Sequence, residues 1–296
     1  MCITSYFIHP YKPKFDFHLG KAKELFGFGK WILGSSILVF LLTQGDDIFV
    51  GKLLGATALG LYQLAYRISN MPATEITHVI SQVTFPAYSK LQDNLPKLRE
   101  AYLRTLQLTA FLSIPIAGLI FVLAPDFTRI FLGEKWMPMV PAMQVLAIWG
   151  LIRSIGATTG PVFQGVGRPE ITAKLQLIQL VLMIVLIYPL TIQLGILGTS
   201  AAIVIAAIIA NIVGYYMILE ITKCGLWDFL KMVGFPLINT LIIVLFVATI
   251  DFQKYFGGLL GLLLAVLIGI FIYIFITTIF DKVFNYQLMN LIRSFI

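Results

Sequence analysis

Of the chain's 296 residues, 59% are hydrophobic and 12% charged; its mean hydropathy is +0.92 and its formal net charge +7. A soluble domain carries about 25% charged residues, so this balance excludes an ordinary water-soluble enzyme and specifies a polytopic membrane protein. The 21 Lys and Arg residues are spread between apolar runs and never gather on one polar domain, which argues against nucleic acid as a partner.

The first 30 residues mix Lys12, Lys14, Lys21, Lys23, Asp16 and Glu24 with no uninterrupted apolar stretch. No cleavable leader is expected, and the first spanning helix would itself direct insertion. A helix needs about 20 apolar residues to cross a hydrocarbon layer of about 30 Å. Eight such runs follow, near Phe26 to Leu53, Ala58 to Tyr88, Tyr102 to Leu123, Val140 to Phe163, Ile171 to Ile192, Thr199 to Ile221, Phe229 to Ile250 and Leu259 to Phe280. The expected fold is all-α with about eight transmembrane helices. Its expected parts are an N-terminal segment (1–25), a six-helix lobe (26–222) and a terminal two-helix hairpin with a tail (223–296). With the N-terminus inside, fifteen Lys and Arg residues fall on the inner side and four on the outer, so both termini are expected in the cytoplasm. Proline at Pro72, Pro86, Pro115, Pro141, Pro161, Pro189 and Pro236 predicts kinks.

The first span places Ser36, Thr43 and Asp47 on one face, flanked by Gln44 and Asp46. The connection Gly51 to Gly60 is expected to fold the second span back on the first and bring Asp47 near Gln63 and Arg67. The expected Asp47 to Arg67 interaction would be either a structural ion pair or part of a transport path. On the second span, Gln63, Arg67, Asn70, Thr74, His78 and Ser81 project within roughly a quarter turn of one another at about 100° per residue. A cation at the hydrocarbon centre costs roughly 2.5 to 3.5 kcal/mol, so this stripe must face protein or a wet cavity. Glu75, His78 and Gln82 form a second polar set whose Glu and His suit proton coupling, although a lone His is also an ordinary packing residue. Asp47, Glu75 and His78 are thus the ion-coupling candidates.

On the fourth span Arg153 and Gln164 share a face, near Thr158, Thr159 and Pro161. With Arg67 opposite, Arg153 would make a cavity cationic and suited to a diphosphate or an acidic sugar; alternatively it snorkels or pairs with a backbone carbonyl. Arg67, Arg153, Gln63, Asn70 and Gln164 are the candidate cavity residues. No metal spacing, Gly-x-Ser-x-Gly elbow or Walker loop is present, so neither enzyme chemistry nor a cofactor or metal is expected. Cys2 and Cys224 are placed on the reducing side and are expected to stay free thiols.

Five strings complete the reading: Asp47-Ile-Phe-Val-Gly-Lys-Leu-Leu-Gly55, Leu59-Gly-Leu-Tyr-Gln-Leu-Ala-Tyr66, Phe85-Pro-Ala-Tyr-Ser-Lys-Leu-Gln92, Phe131-Leu-Gly-Glu-Lys-Trp136 and Gly165-Val-Gly-Arg-Pro169. Together, over about Pro13 to Asp228, they resemble the polysaccharide-transporter branch of the multidrug/oligosaccharidyl-lipid/polysaccharide flippase superfamily, the Wzx-type flippases. The resemblance implies a bacterial or archaeal inner-membrane protein that flips a polyprenyl-diphosphate-linked oligosaccharide for surface polysaccharide synthesis. It also implies two six-helix lobes around a cavity, often with two extra helices. In that register this chain looks like the second lobe plus the extra pair, with a missing N-terminal lobe or a second copy as partner. A cation or multidrug antiporter of the same superfamily, and a membrane glycan ligase or polymerase, are the competing readings.

Overall fold

The computed structural model describes residues 19–250 and 252–284 and is helical nearly throughout, with no strand among the described residues. Residues 1–18, with Cys2, and the tail from 285, with Arg293, lie outside the described residues. The helices are α1 (Leu19–Leu91), α2 (Leu95–Phe127), α3 (Val140–Gly156), α4 (Gly160–Gly165), α5 (Pro169–Leu194), α6 (Ile196–Thr222), α7 (Leu226–Thr249), the short α8 (Phe252–Phe256) and α9 (Gly258–Phe284). By length and composition, six helices among the described residues can cross a membrane, between Leu95 and Lys282. The two arms of α1 account for the first two of the eight expected spans. They carry the polar stripes that dilute their apolar runs.

The expected connection from Gly51 to Gly60 is far tighter than a loop. Helical geometry runs to residue 54 and resumes at 56, and the whole reversal falls on Gly55 at φ 84°, ψ 177°. That region of backbone space is open essentially to Gly alone, because a Cβ there clashes with the flanking peptide. Residues at equal or nearly equal distances from the break then meet across the hairpin: Tyr62 Oη donates to Asp46 Oδ2 at 2.5 Å and Gln63 Nε2 to Asp47 Oδ2 at 2.8 Å.

Proline has a more varied part than the expected kinks. Within α1 the break is at Gly55 and not at Pro72 or Pro86. Pro141 and Pro161 stand in the first turns of α3 and α4, where a missing N–H costs nothing. The expected fourth span is discontinuous, interrupted at Ala157 to Thr159 between α3 and α4.

The interior has two apolar layers. One, at the Gly55 end, gathers Val50, Tyr62, Ala65, Met143, Leu146 and Ala206; the other, at the Leu91 end, gathers Tyr88, Leu98, Tyr102, Phe163, Ile171 and Ile218. α7 and α9 pack on α2, outside this bundle, through a third cluster around Ile243, Ala265 and Tyr273. Tyr273 Oη donates to the Phe111 carbonyl at 2.9 Å and Asn239 Nδ2 to Thr277 Oγ1 at 3.1 Å, fixing the pair to each other and to α2.

Cys224, in the turn between α6 and α7, is a free and buried thiol. Burial raises its pKa above the usual thiol value, the Asp228 carboxylate raises it further, and Arg99 partly opposes both. Because the thiolate is the nucleophile, Cys224 should react with a maleimide at pH 7 about tenfold more slowly in the folded protein than after unfolding in dodecyl sulfate. Peptide mass spectrometry of timed samples separates its labelling from that of Cys2.

Candidate functional site

The polar stripe of α1 borders two cavities between the apolar layers. The smaller, of about 510 Å³, lies nearer Gly55 and is lined by Gln44, Asp46, Asp47, Gln63, Tyr66, Arg67, Asn70 and Glu75 among others. The larger, of about 680 Å³, lies toward Leu91 and is enclosed by both arms of α1 with α3, α4, α5 and α6. His78, Ser81, Gln82, Trp149, Arg153 and Gln164 are on its wall. Thr43 and Thr74 line both. All six residues of the expected stripe therefore face a cavity, as the cost of exposing them to lipid requires.

Arg153 stands at the junction. Its guanidinium donates from Nη2 to Thr74 Oγ1, while its Nε is buried with no hydrogen-bond partner among the described residues. Tyr66, whose hydroxyl accepts from Trp149 Nε1 at 3.4 Å, adjoins it. Arg153 is thus held by two neutral hydroxyls, those of Thr74 and Tyr66, and keeps the rest of its donor fork for an acceptor in the cavity. Gln164 shares the larger cavity with Arg153, as their common face predicts.

The expected Asp47 to Arg67 interaction does not form. Gln63 takes the Asp47 carboxylate, and no ion pair among the described residues includes Arg67. The one-residue turn sets Gln63, and not Arg67, level with Asp47. Asp47 is eight residues before Gly55 and Arg67 twelve after it, an axial offset of about 6 Å at 1.5 Å per residue. Arg67 and Arg153 also fall in different cavities, so they do not face one another across a single wall. Glu75 and His78 are divided in the same way; His78 Nε2 lies 3.1 Å from Gln82 Nε2. Asn70 is buried and its Nδ2 donates to the Tyr66 carbonyl of its own helix at 3.2 Å.

Two features escaped the sequence reading. Asp46, and not Asp47, is the enclosed carboxylate, 1% exposed and held by Tyr62 and the Asp47 backbone N–H. Adjacent residues point about 100° apart, and the sequence does not say which of two neighbouring aspartates turns inward. The second is the amide group of α5 and α6, Gln176, Gln179 and Asn211, on the wall of the larger cavity. Their signal was the i, i+3 pair of Gln residues inside an apolar run.

Residues 1–141 match the sequence profile of the family described as polysaccharide biosynthesis protein. The chain is 29% identical to lipopolysaccharide biosynthesis protein WzxC of Escherichia coli (strain K12) over 71% of this chain and 43% of that protein. It is 36% identical to teichuronic acid biosynthesis protein TuaB of Bacillus subtilis (strain 168), over 54% of this chain and 33% of that protein. The solved lipid II flippase MurJ, in an inward closed conformation, superposes with a TM-score of 0.70 at 19% identity, over 95% of this chain and 58% of that one. At that identity the likeness shows a shared fold. The chain spans about half or less of the length of the curated relatives it matches. Family profile, relatives and fold agree with the five strings: this multi-pass membrane protein is similar to the polysaccharide biosynthesis family over its first 141 residues and to part of the length of the named relatives.

Proposed function

We propose that this chain forms one lobe of a flippase that carries a polyprenyl-diphosphate-linked oligosaccharide across a bacterial or archaeal plasma membrane for surface polysaccharide synthesis. One observation carries the reading: a cavity of about 680 Å³ inside an apolar helical bundle, whose mainly apolar wall carries polar side chains and a guanidinium with most of its donors uncommitted. A diphosphate offers acceptor oxygens alone, and a planar guanidinium matches them with paired donors. The sugars would occupy the cavity while the polyprenyl chain stays in lipid. No covalent chemistry is required. The lobe, taken as the C-terminal one, would close against an N-terminal lobe or a second copy, and the two would rock between inward-open and outward-open packings. The discontinuous α3–α4 segment suits such movement, because broken helices border the paths of many transporters. Both termini would face the cytoplasm, in keeping with the distribution of Lys and Arg along the chain.

The smaller cavity deepens this reading. Asp47 and Glu75 bring carboxylates beside Arg67, and His78 stands below in the larger cavity, so an ion gradient has titratable groups on which to act.

Arg153→Gln and Arg67→Gln, made singly in the full assembly, test the proposal by the amount of glycolipid exposed on the outer leaflet. Arg153→Gln is expected to lower the rate about tenfold, a loss of about 1.4 kcal/mol of transition-state stabilisation. Arg67→Gln, outside the larger cavity, should have the smaller effect. Normal exposure at normal protein level in both variants would reject the reading.

A further inference from the structure

Four amides on the wall of the larger cavity have hydrogen-bonding capacity that the fold does not use. Gln179 of α5 is 9% exposed, lines the cavity and has no hydrogen-bond partner among the described residues. Gln164 of α4 likewise lines the cavity without one. Gln176 Oε1 accepts from Ser35 Oγ, which leaves the Nε2 donors free. Asn211 Nδ2 donates to the Ala207 carbonyl at 2.9 Å, which leaves Oδ1 as an acceptor. A buried amide without a partner costs stability. Gln179 is such an amide, and with the unused capacity of the half-buried Gln164, Gln176 and Asn211 around the same cavity it indicates a site whose partners come from a ligand.

The chemistry of the set separates it from Arg153. Phosphate and carboxylate accept hydrogen bonds and donate none, so they call for donors and positive charge. Here neutral donors and neutral acceptors alternate, a pattern met by groups that do both, namely hydroxyls and acetamides. Among the described residues, Arg153 is the one Lys or Arg side chain on this cavity's wall. A uronate placed among the amides would find neutral donors but, with Arg153 engaged by the phosphate, no Lys or Arg countercharge of its own among the described residues.

We propose that Gln164, Gln176, Gln179 and Asn211 form a subsite for an uncharged, hydroxyl-rich sugar, adjoining Arg153, which takes the phosphate. The inference rests on the flippase reading above and specifies the class of glycan that this lobe accepts. Gln179 is its specificity-determining residue, because it is the most enclosed of the amides and has no structural contact to lose.

The full chain in lipid nanodiscs is titrated with three probes: a polyprenyl diphosphate, the same lipid bearing a neutral disaccharide, and the same lipid bearing a glucuronic acid disaccharide. The neutral glycolipid should bind more tightly than the other two. Gln179→Met keeps the length of the side chain and removes the amide; it should weaken neutral-glycolipid binding about tenfold, leave the sugar-free lipid unchanged and keep or raise the melting temperature. Gln164→Met should act in the same direction. A melting temperature that holds while glycan affinity falls is the signature of a ligand contact, since a structural amide would lose both. Affinity for the neutral glycolipid unchanged from the unsubstituted protein in both Met variants, or uronate binding as tight as neutral binding, would overturn the subsite while leaving the flippase reading intact. Failure of all three lipids to bind would overturn both. Arg153→Gln, which should weaken all three probes, marks the phosphate end.

Discussion

Gly198→Ala is expected to cost about 3 kcal/mol or more and to abolish recovery of monodisperse protein in mild detergent. Gly198 is in the first turn of α6, where that helix turns back on α5. A Cβ added there would lie 1.9 Å from the Leu190 carbonyl oxygen and 2.4 Å from its carbon. Both are backbone atoms of an intact helix, so no side-chain rotation relieves the overlap. The two helices would have to separate by more than 1 Å, against an interior packed to crystal-like density. Next to it, Thr191 Oγ1 and Thr199 Oγ1, both fully buried, lie 2.8 Å apart across the same hairpin. Thr199→Val removes that bond without overlap and should cost about 1 kcal/mol, in keeping with hydrogen bonds between membrane helices. Heating followed by size-exclusion chromatography ranks the two. A Gly198→Ala protein as stable as Thr199→Val would show that α5 and α6 part there at little cost.

That contrast bears on what a sequence discloses. Apolar run length is set by bilayer thickness, so the spans from α2 to α9 were readable from composition alone. The stripe from Gln63 to Ser81 was readable too, because the cost of exposing Arg67 or Asn70 to lipid fixes the side they face whatever the partner. Contacts between helices were less accessible. Gly51, Gly55 and Gly60 are equally able to turn the chain, and choosing Gly55 over Gly51 moves the hairpin register by several residues. Asp47 is taken by Gln63, which the Gly55 register sets level with it. The amides of α5 were overlooked for a different reason: in an apolar run each Gln reads as a tolerated exception, and only the packing of α1, α4 and α6 around Gln176 and Gln179 shows them sharing a cavity.

The hairpin register also gives the second large effect. Tyr62→Phe should destabilise the protein by about 2 to 3 kcal/mol, because it deletes one hydroxyl and leaves the enclosed Asp46 carboxyl short of a donor. Asp46 is 1% exposed and Tyr62 fully buried, so water does not replace the lost 2.5 Å bond without opening the hairpin. The Asp47 backbone N–H, 3.0 Å from Asp46 Oδ1, remains and satisfies the other oxygen only. Asp46→Asn keeps an acceptor for the tyrosine and should cost less. The decisive comparison is the double variant Asp46→Leu with Tyr62→Phe. If the pair is retained for function, replacing both partners by apolar groups should recover most of the stability lost in Tyr62→Phe, since no buried polar group is then left alone. Glycolipid exposure in that double variant should nevertheless fall, because Asp46 borders the smaller cavity beside Asp47 and Glu75. Stability and exposure recovering together would make the pair a dispensable packing element. Stability without exposure would place the buried carboxyl in the transport cycle itself.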